Sequence, residues 1–165
     1  MPDEVVELDA VPKSSVGGPL PIALGNEHHL VLAYLVENRP PDWDGSSTRV
    51  VDMDSPEPVA RVTFTRPYAF TLGPPNDEAL SGHPLADRGL RPYGAFEIRD
   101  SSWIDRLRTM NSVHPQHQDE AFAGYRHLIF TFHDSTFECV AEALSAEVVS
   151  GPLSQVVAAL PQEFG

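Results

Sequence analysis

His127, Thr131, His133, Glu138 and Glu142 fall in one stretch, RHLIFTFHDSTFECVAE (126–142), where apolar and polar positions alternate on both sides of Asp134-Ser135. A histidine beside a carboxylate has its cationic form favoured and one ring nitrogen oriented, as in a general base or a ligand cluster. Two strands around an Asp134-Ser135 turn would put Phe132 opposite Phe137, Phe130 opposite Cys139 and Leu128 opposite Ala141 on one face. The other face would pair His133 with Thr136, Thr131 with Glu138, Ile129 with Val140 and His127 with Glu142. His133 would then lie diagonal to Glu138, within reach of a long side chain. The catalytic candidates are therefore His133, Glu138 and Thr131. The competing expectation is that this face is simply wet, since antiparallel sheets commonly leave one face to water. Solvent is the expected neighbour. Asp134 reads as a turn residue bonding its own backbone.

His114 and His117 lie three apart in NSVHPQHQD (111–119), near Asp119 and Glu120 in the chain. With His133 and Asp134 they could furnish N and O ligands for zinc. Pro115 restricts His114 to extended conformations and argues against a helical HxxH face. No HExxH and no paired CxxC occurs, so neither a metal nor a cofactor is expected. His114, His117, Arg126, His127 and Glu142 remain candidate binding residues. His28 and His29 would point to opposite faces of a strand and cannot chelate together. His83, in SGHPL, reads as a surface loop residue. Arg88, Arg91 and Arg126 could hold an anion, although such arginines mostly pair with surface acids. There is no GxSxG elbow, P-loop or GxGxxG. Cys139 falls on the phenylalanine face and reads as a small buried hydrophobe rather than a nucleophile.

The elements that would carry these residues are short, because 16 Pro and 11 Gly punctuate the 165 residues. That length favours one domain with a real core: an irregular arm over 1–20, with a short strand near Val5–Leu8, then a domain over 21–165. Leu30–Val36 is apolar throughout and reads as a strand buried on both faces. Residues 39–45 (RPPDWDG) read as a loop, followed by a short strand at Arg49–Met53. Val59–Thr65 alternates cleanly, Pro67 interrupts it, and Tyr68–Leu72 is expected to continue it beyond a bend or along an edge. The long stretch 73–92 holds at most one short helix from Asp77, capped by Asn76. Gly94–Arg99 is a strand. A helix then starts with Ser102 as its cap, with Trp103, Leu107 and Met110 sharing a face. Glu120–Tyr125 is one helical turn, His127–His133 a strand, Thr136–Val149 one long strand, and Pro152–Leu160 a closing helix. The fold class is α+β, a mainly antiparallel twisted sheet or partial barrel with two short helices.

The formal net charge is −13, from 24 acidic and 11 basic residues. Such a field opposes nucleic acid and anionic membrane surfaces and favours solubility. MPDEVVELDA lacks the apolar core of a signal peptide. The lone cysteine suits a reducing compartment, so a cytoplasmic setting is expected.

Four strings, GPPNDEALSGHPL, LRPYGAFEIRDSSWI, MNSVHP and YRHLIFTFHDSTFECVA, resemble those of a family of small uncharacterised bacterial proteins carrying HDSTFE-like and GHPL-like segments. The resemblance covers roughly the C-terminal half and implies that these segments share one fold unit. It brings no activity or site residues. The expected function is a binding or interaction module with an unknown partner, either another protein or a second copy of the chain. The alternative is a hydrolase-type enzyme using a His/Glu site, with or without a metal, on the 127–142 hairpin.

Overall fold

The computed structural model describes residues 2–38 and 50–164. Among these residues nine strands form two antiparallel sheets. They are β1 (Glu4–Glu7), β2 (Ile22–Gly25), β3 (Leu30–Leu35), β4 (Val59–Thr65), β5 (Ala69–Gly73), β6 (Ala95–Arg99), β7 (Arg126–Thr131), β8 (Thr136–Ala141) and β9 (Ala143–Val149). One sheet runs β1-β6-β7-β8-β5 and the other β2-β3-β4-β9. Two α-helices, α1 (Ser102–Asn111) and α2 (Leu153–Ala159), accompany them. The fold is α+β, and the sheets face one another without closing into a barrel. Among the described residues no helix is long and apolar enough to cross a membrane.

Period-two alternation builds the core between the sheets. Leu30, Leu32, Tyr34, Ala60, Val62 and Phe64 meet Leu128, Phe130, Phe132, Phe137, Cys139 and Ala141. The opposite face of β3 and β4 (Ala33, Leu35, Val59) packs on Leu153 of α2. That explains why β3 is apolar at every position and buried throughout. Residues 4–7 of the N-terminal arm form β1 and pair with β6.

Several boundaries differ from the sequence expectation. β5 does not continue β4: Arg66 takes a positive φ of 48°, and the chain turns through Pro67 into the other sheet. The stretch 136–149 is likewise two strands, β8 and β9, that change sheets at Glu142. The two crossings sit side by side, with Glu142 N–H donating to Thr65 O at 2.9 Å and Tyr68 N–H to Val140 O at 2.7 Å. Corners where strands switch sheets are a recurrent way to fold one ribbon over another. No strand forms at 50–53, where a turn closes by Ser55 N–H donating to Asp52 O. Arg49 and the loop expected at 39–45 lie outside the described residues. The cap of α1 is Ser101, one residue earlier than expected, and its Oγ accepts from Ile104 N–H.

The hairpin of β7 and β8 keeps the expected faces but not the expected partners. Thr131 faces Thr136, Phe130 faces Phe137, Leu128 faces Cys139, Ile129 faces Glu138 and His127 faces Val140. The register is moved by two residues, which preserves sidedness because side chains alternate with period two. The four-residue loop 132–135 is held from outside: Thr136 Oγ1 donates to Pro75 O, and Asp77 N–H donates to His133 O.

Candidate functional site

The reverse face of this hairpin is covered, not wet. The segment 77–90, with 3-10 turns at Asp77–Gly82 and Ala86–Arg88, lays Leu80, Leu85 and Leu90 against Phe96, Ile98 and Ile129. His127, Ile129, Thr131 and Val140 are all buried. Asn76 caps the first turn, its side chain accepting from Ala79 N–H, as its position suggested. Gly89, at φ 103°, supplies the left-handed residue that ends the second.

Burial converts the polar residues of this face into one hydrogen-bonded chain. Glu138 lies diagonal to His127 on the sheet and receives it: Nε2 and Oε1 are 2.8 Å apart. The second carboxylate oxygen, Oε2, meets His83 Nε2 at 3.0 Å. The outer nitrogens are also committed. Leu85 N–H donates to His83 Nδ1 at 3.1 Å, which makes Nδ1 an acceptor and leaves Nε2 to carry the proton. Ser101 Oγ is 2.8 Å from His127 Nδ1. Because Oγ already accepts from Ile104 N–H, its own proton is free to go to Nδ1. Both imidazoles thereby direct an Nε2–H at one ionised carboxylate. Burial works to raise the Glu138 carboxyl, but the hydrogen bonds from His127 and His83 outweigh it and hold it at about 2.

The chain forms the floor of a cleft of about 650 Å³, within the range of small-molecule sites. Trp103 and Arg106 of α1 line it together with Pro74, Pro75, Pro84 and Leu85. The Trp103 ring stands edge-on to His127 at 5.0 Å. At the rim, Asp3 Oδ1 accepts from Ser102 N–H at 2.7 Å, and Arg88 hydrogen-bonds the Pro2 carbonyl.

The other candidates go elsewhere. Thr131 is no neighbour of a reacting group: its Oγ1 donates to Arg91 O at 2.7 Å and accepts from Gly94 N–H at 3.0 Å. His133 pairs with Asp77, not Glu138, through Nδ1 at 2.9 Å, and its side chain is 40% exposed. Tyr93 donates to the same Asp77 oxygen. That contact, with His133 beside it, lowers the Asp77 carboxyl; the same contact, with burial, pushes the Tyr93 hydroxyl up to about 12. The expected His127–Glu142 pair is overturned by the register. Glu142 instead meets Arg66 at 3.3 Å at the sheet corner. Arg126 makes a two-pronged ion pair with Glu97, at 2.9 Å for each prong. His117 is held between Asn111 and Asp119, and the Nδ1 of exposed His114 accepts from Gln116 N–H. Among the described residues no group of three or more His, Cys, Asp or Glu is placed to hold a metal. Cys139 is fully buried, and burial pushes its thiol up.

No protein-family model, curated protein or solved structure matches the chain.

Sequence reasoning missed His83 and Ser101. His83 was expected on the surface, yet its side chain is only 7% exposed. Nothing in SGHPL marks a buried position. The one usable signal was the apolar spacing Leu80, Leu85, Leu90, which gives segment 73–92 a face to bury.

Proposed function

We propose that the protein is a binding module whose site is the cleft above Glu138, taking a small molecule against Trp103 and the proline wall. One observation supports this over catalysis at the same place. Every ring nitrogen of His83 and His127, and both oxygens of Glu138, already have a partner within the protein. A general base needs a nitrogen within hydrogen-bond reach of substrate, and a carboxyl held at about 2 is a poor base near neutrality. The chain fixes the floor's shape and leaves its wall to make contacts. A cytoplasmic setting belongs to the same proposal, supported by the single, buried thiol.

A small-molecule fragment screen followed by NMR tests this. Binders should shift the Trp103 indole signal and leave a hydrolase substrate panel unturned. Turnover abolished by His127→Gln would replace the binding reading with catalysis at the cleft.

A second reading keeps the hydrolase alternative at His133, with Asp77 in place of Glu138 as its carboxylate. Asp77 orients this ring through Nδ1, while among the described residues Nε2 has only Asp134 as a polar partner, at 3.8 Å. An imidazole oriented by a carboxylate with its far nitrogen open is the arrangement of a general base. Turnover lost in His133→Ala and retained in His127→Gln would establish it.

A further inference from the structure

We propose that the cleft selects a ligand with a flat apolar body and an anionic group, carboxylate or phosphate, with the anion meeting the guanidinium of Arg106. The inference rests on the cleft being a ligand site and concerns which ligand it takes. The charged groups lining the cleft are unequally satisfied. Glu138 receives two N–H donors, and Asp3 accepts the Ser102 N–H at the start of α1. Arg106, by contrast, has no hydrogen-bond or ion-pair partner among the described residues. Arg88 donates to the Pro2 carbonyl, which occupies a donor without neutralising its charge. In a chain with 24 acids against 11 bases, five of the eight described arginines find a carboxylate: Arg61, Arg66, Arg91, Arg108 and Arg126.

The positions of these cations relative to the apolar wall give the rest. Trp103 and Arg106 are three apart on α1, so they are neighbours on one helix face, and both line the cleft. A planar body lying on the indole would carry an attached anion towards the guanidinium fork, which matches carboxylate and phosphate geometry. The surrounding net charge of −13 opposes anions in general, so selection has to come from this local contact and should weaken as salt screens it. A cationic ligand keeps the attraction of the Glu138 and Asp3 charges but gains fewer hydrogen bonds, because both Glu138 oxygens and Asp3 Oδ1 already accept N–H donors.

The test uses 2-naphthoate, its neutral isostere 2-naphthamide and 2-naphthylmethylammonium, titrated by NMR into protein carrying Trp43→Phe. Trp43 is the other tryptophan, so the remaining indole N–H signal is that of Trp103. Naphthoate should shift that signal and bind about tenfold more tightly than naphthamide, one charge-assisted contact's worth. Arg106→Gln, at an exposed helix position, should bring the two to within about twofold, as should raised salt. Equal binding of acid and amide, or preference for the ammonium, would overturn the anionic class while leaving the cleft as a binding site. If no probe moved the Trp103 signal, the binding-module reading would fall together with this one.

Discussion

At the scale of the residue, Glu138 ties the floor of the cleft together. It keeps a charge under cover because two imidazoles donate to it. Its carboxyl sits at about 2 instead of the ordinary 4.5, so its contribution to stability is complete above the ordinary value. That contribution is lost as pH falls through the range between the two. Glu138→Gln should cost about 2 kcal/mol near neutral pH, because a neutral amide with one acceptor oxygen replaces a carboxylate that took two charge-assisted N–H bonds. His83 cannot turn away, since its Nδ1 is held by Leu85 N–H. Urea denaturation from pH 7 down to about 3 checks both points: the variant should be weaker at pH 7 and should lose less on acidification. A variant with the wild-type acid slope would remove Glu138 as the source of that slope.

At the scale of the element, the start of α1 joins fold and site. Ser101 Oγ accepts from Ile104 N–H and stands against His127 Nδ1, so a single hydroxyl caps the helix and orients one imidazole. Ser101→Ala should therefore cost more than an ordinary cap, roughly 2–3 kcal/mol against the usual ~1. Asn76→Ala, at a cap that carries no second contact, is the control, with an expected loss of about 1 kcal/mol. Thermal unfolding of the two variants makes the comparison. Equal losses would show that the His127 contact adds nothing. The segment 73–92 has the opposite character. It has little regular structure, yet it hides the outer face of β7 and β8 and delivers His83. Its fixed points are hydrogen bonds to the hairpin loop and three leucines, all of them long-range.

At the scale of the whole molecule, two sheets share one core, and the chain crosses between them twice at one corner. Phe130 lies near its centre, 2% exposed, with Tyr34, Phe64, Phe132 and Phe137 around it. Phe130→Ala should destabilise by about 3–5 kcal/mol. Because both sheets line the hole it leaves, near- and far-ultraviolet circular dichroism should still report one coincident transition. Separate transitions would mean that the sheets unfold independently.

Some of this was written in the residues. The alternation in IFTFHDSTFECVA assigns faces without knowledge of partners, so Phe130, Phe137 and Cys139 are inward by pattern alone. The unbroken apolar run at Leu30–Val36 likewise demands burial on both faces. The alternation could not set the register, because a shift of two residues preserves every face and the loop is pinned by Pro75 and Asp77 from another part of the chain. Nor does it reveal the break at Glu142, where both halves have strand-like composition and only the neighbouring β4–β5 crossing makes a corner favourable. Local pattern thus determined the inner faces of β3, β4, β7 and β8. Tertiary structure alone decided that the polar reverse face is covered, that His83 rather than His133 joins Glu138, and that a cleft stands above them. Those outcomes depend on where segment 73–92 and α1 come to rest, and contacts between distant segments leave no periodic trace in either one.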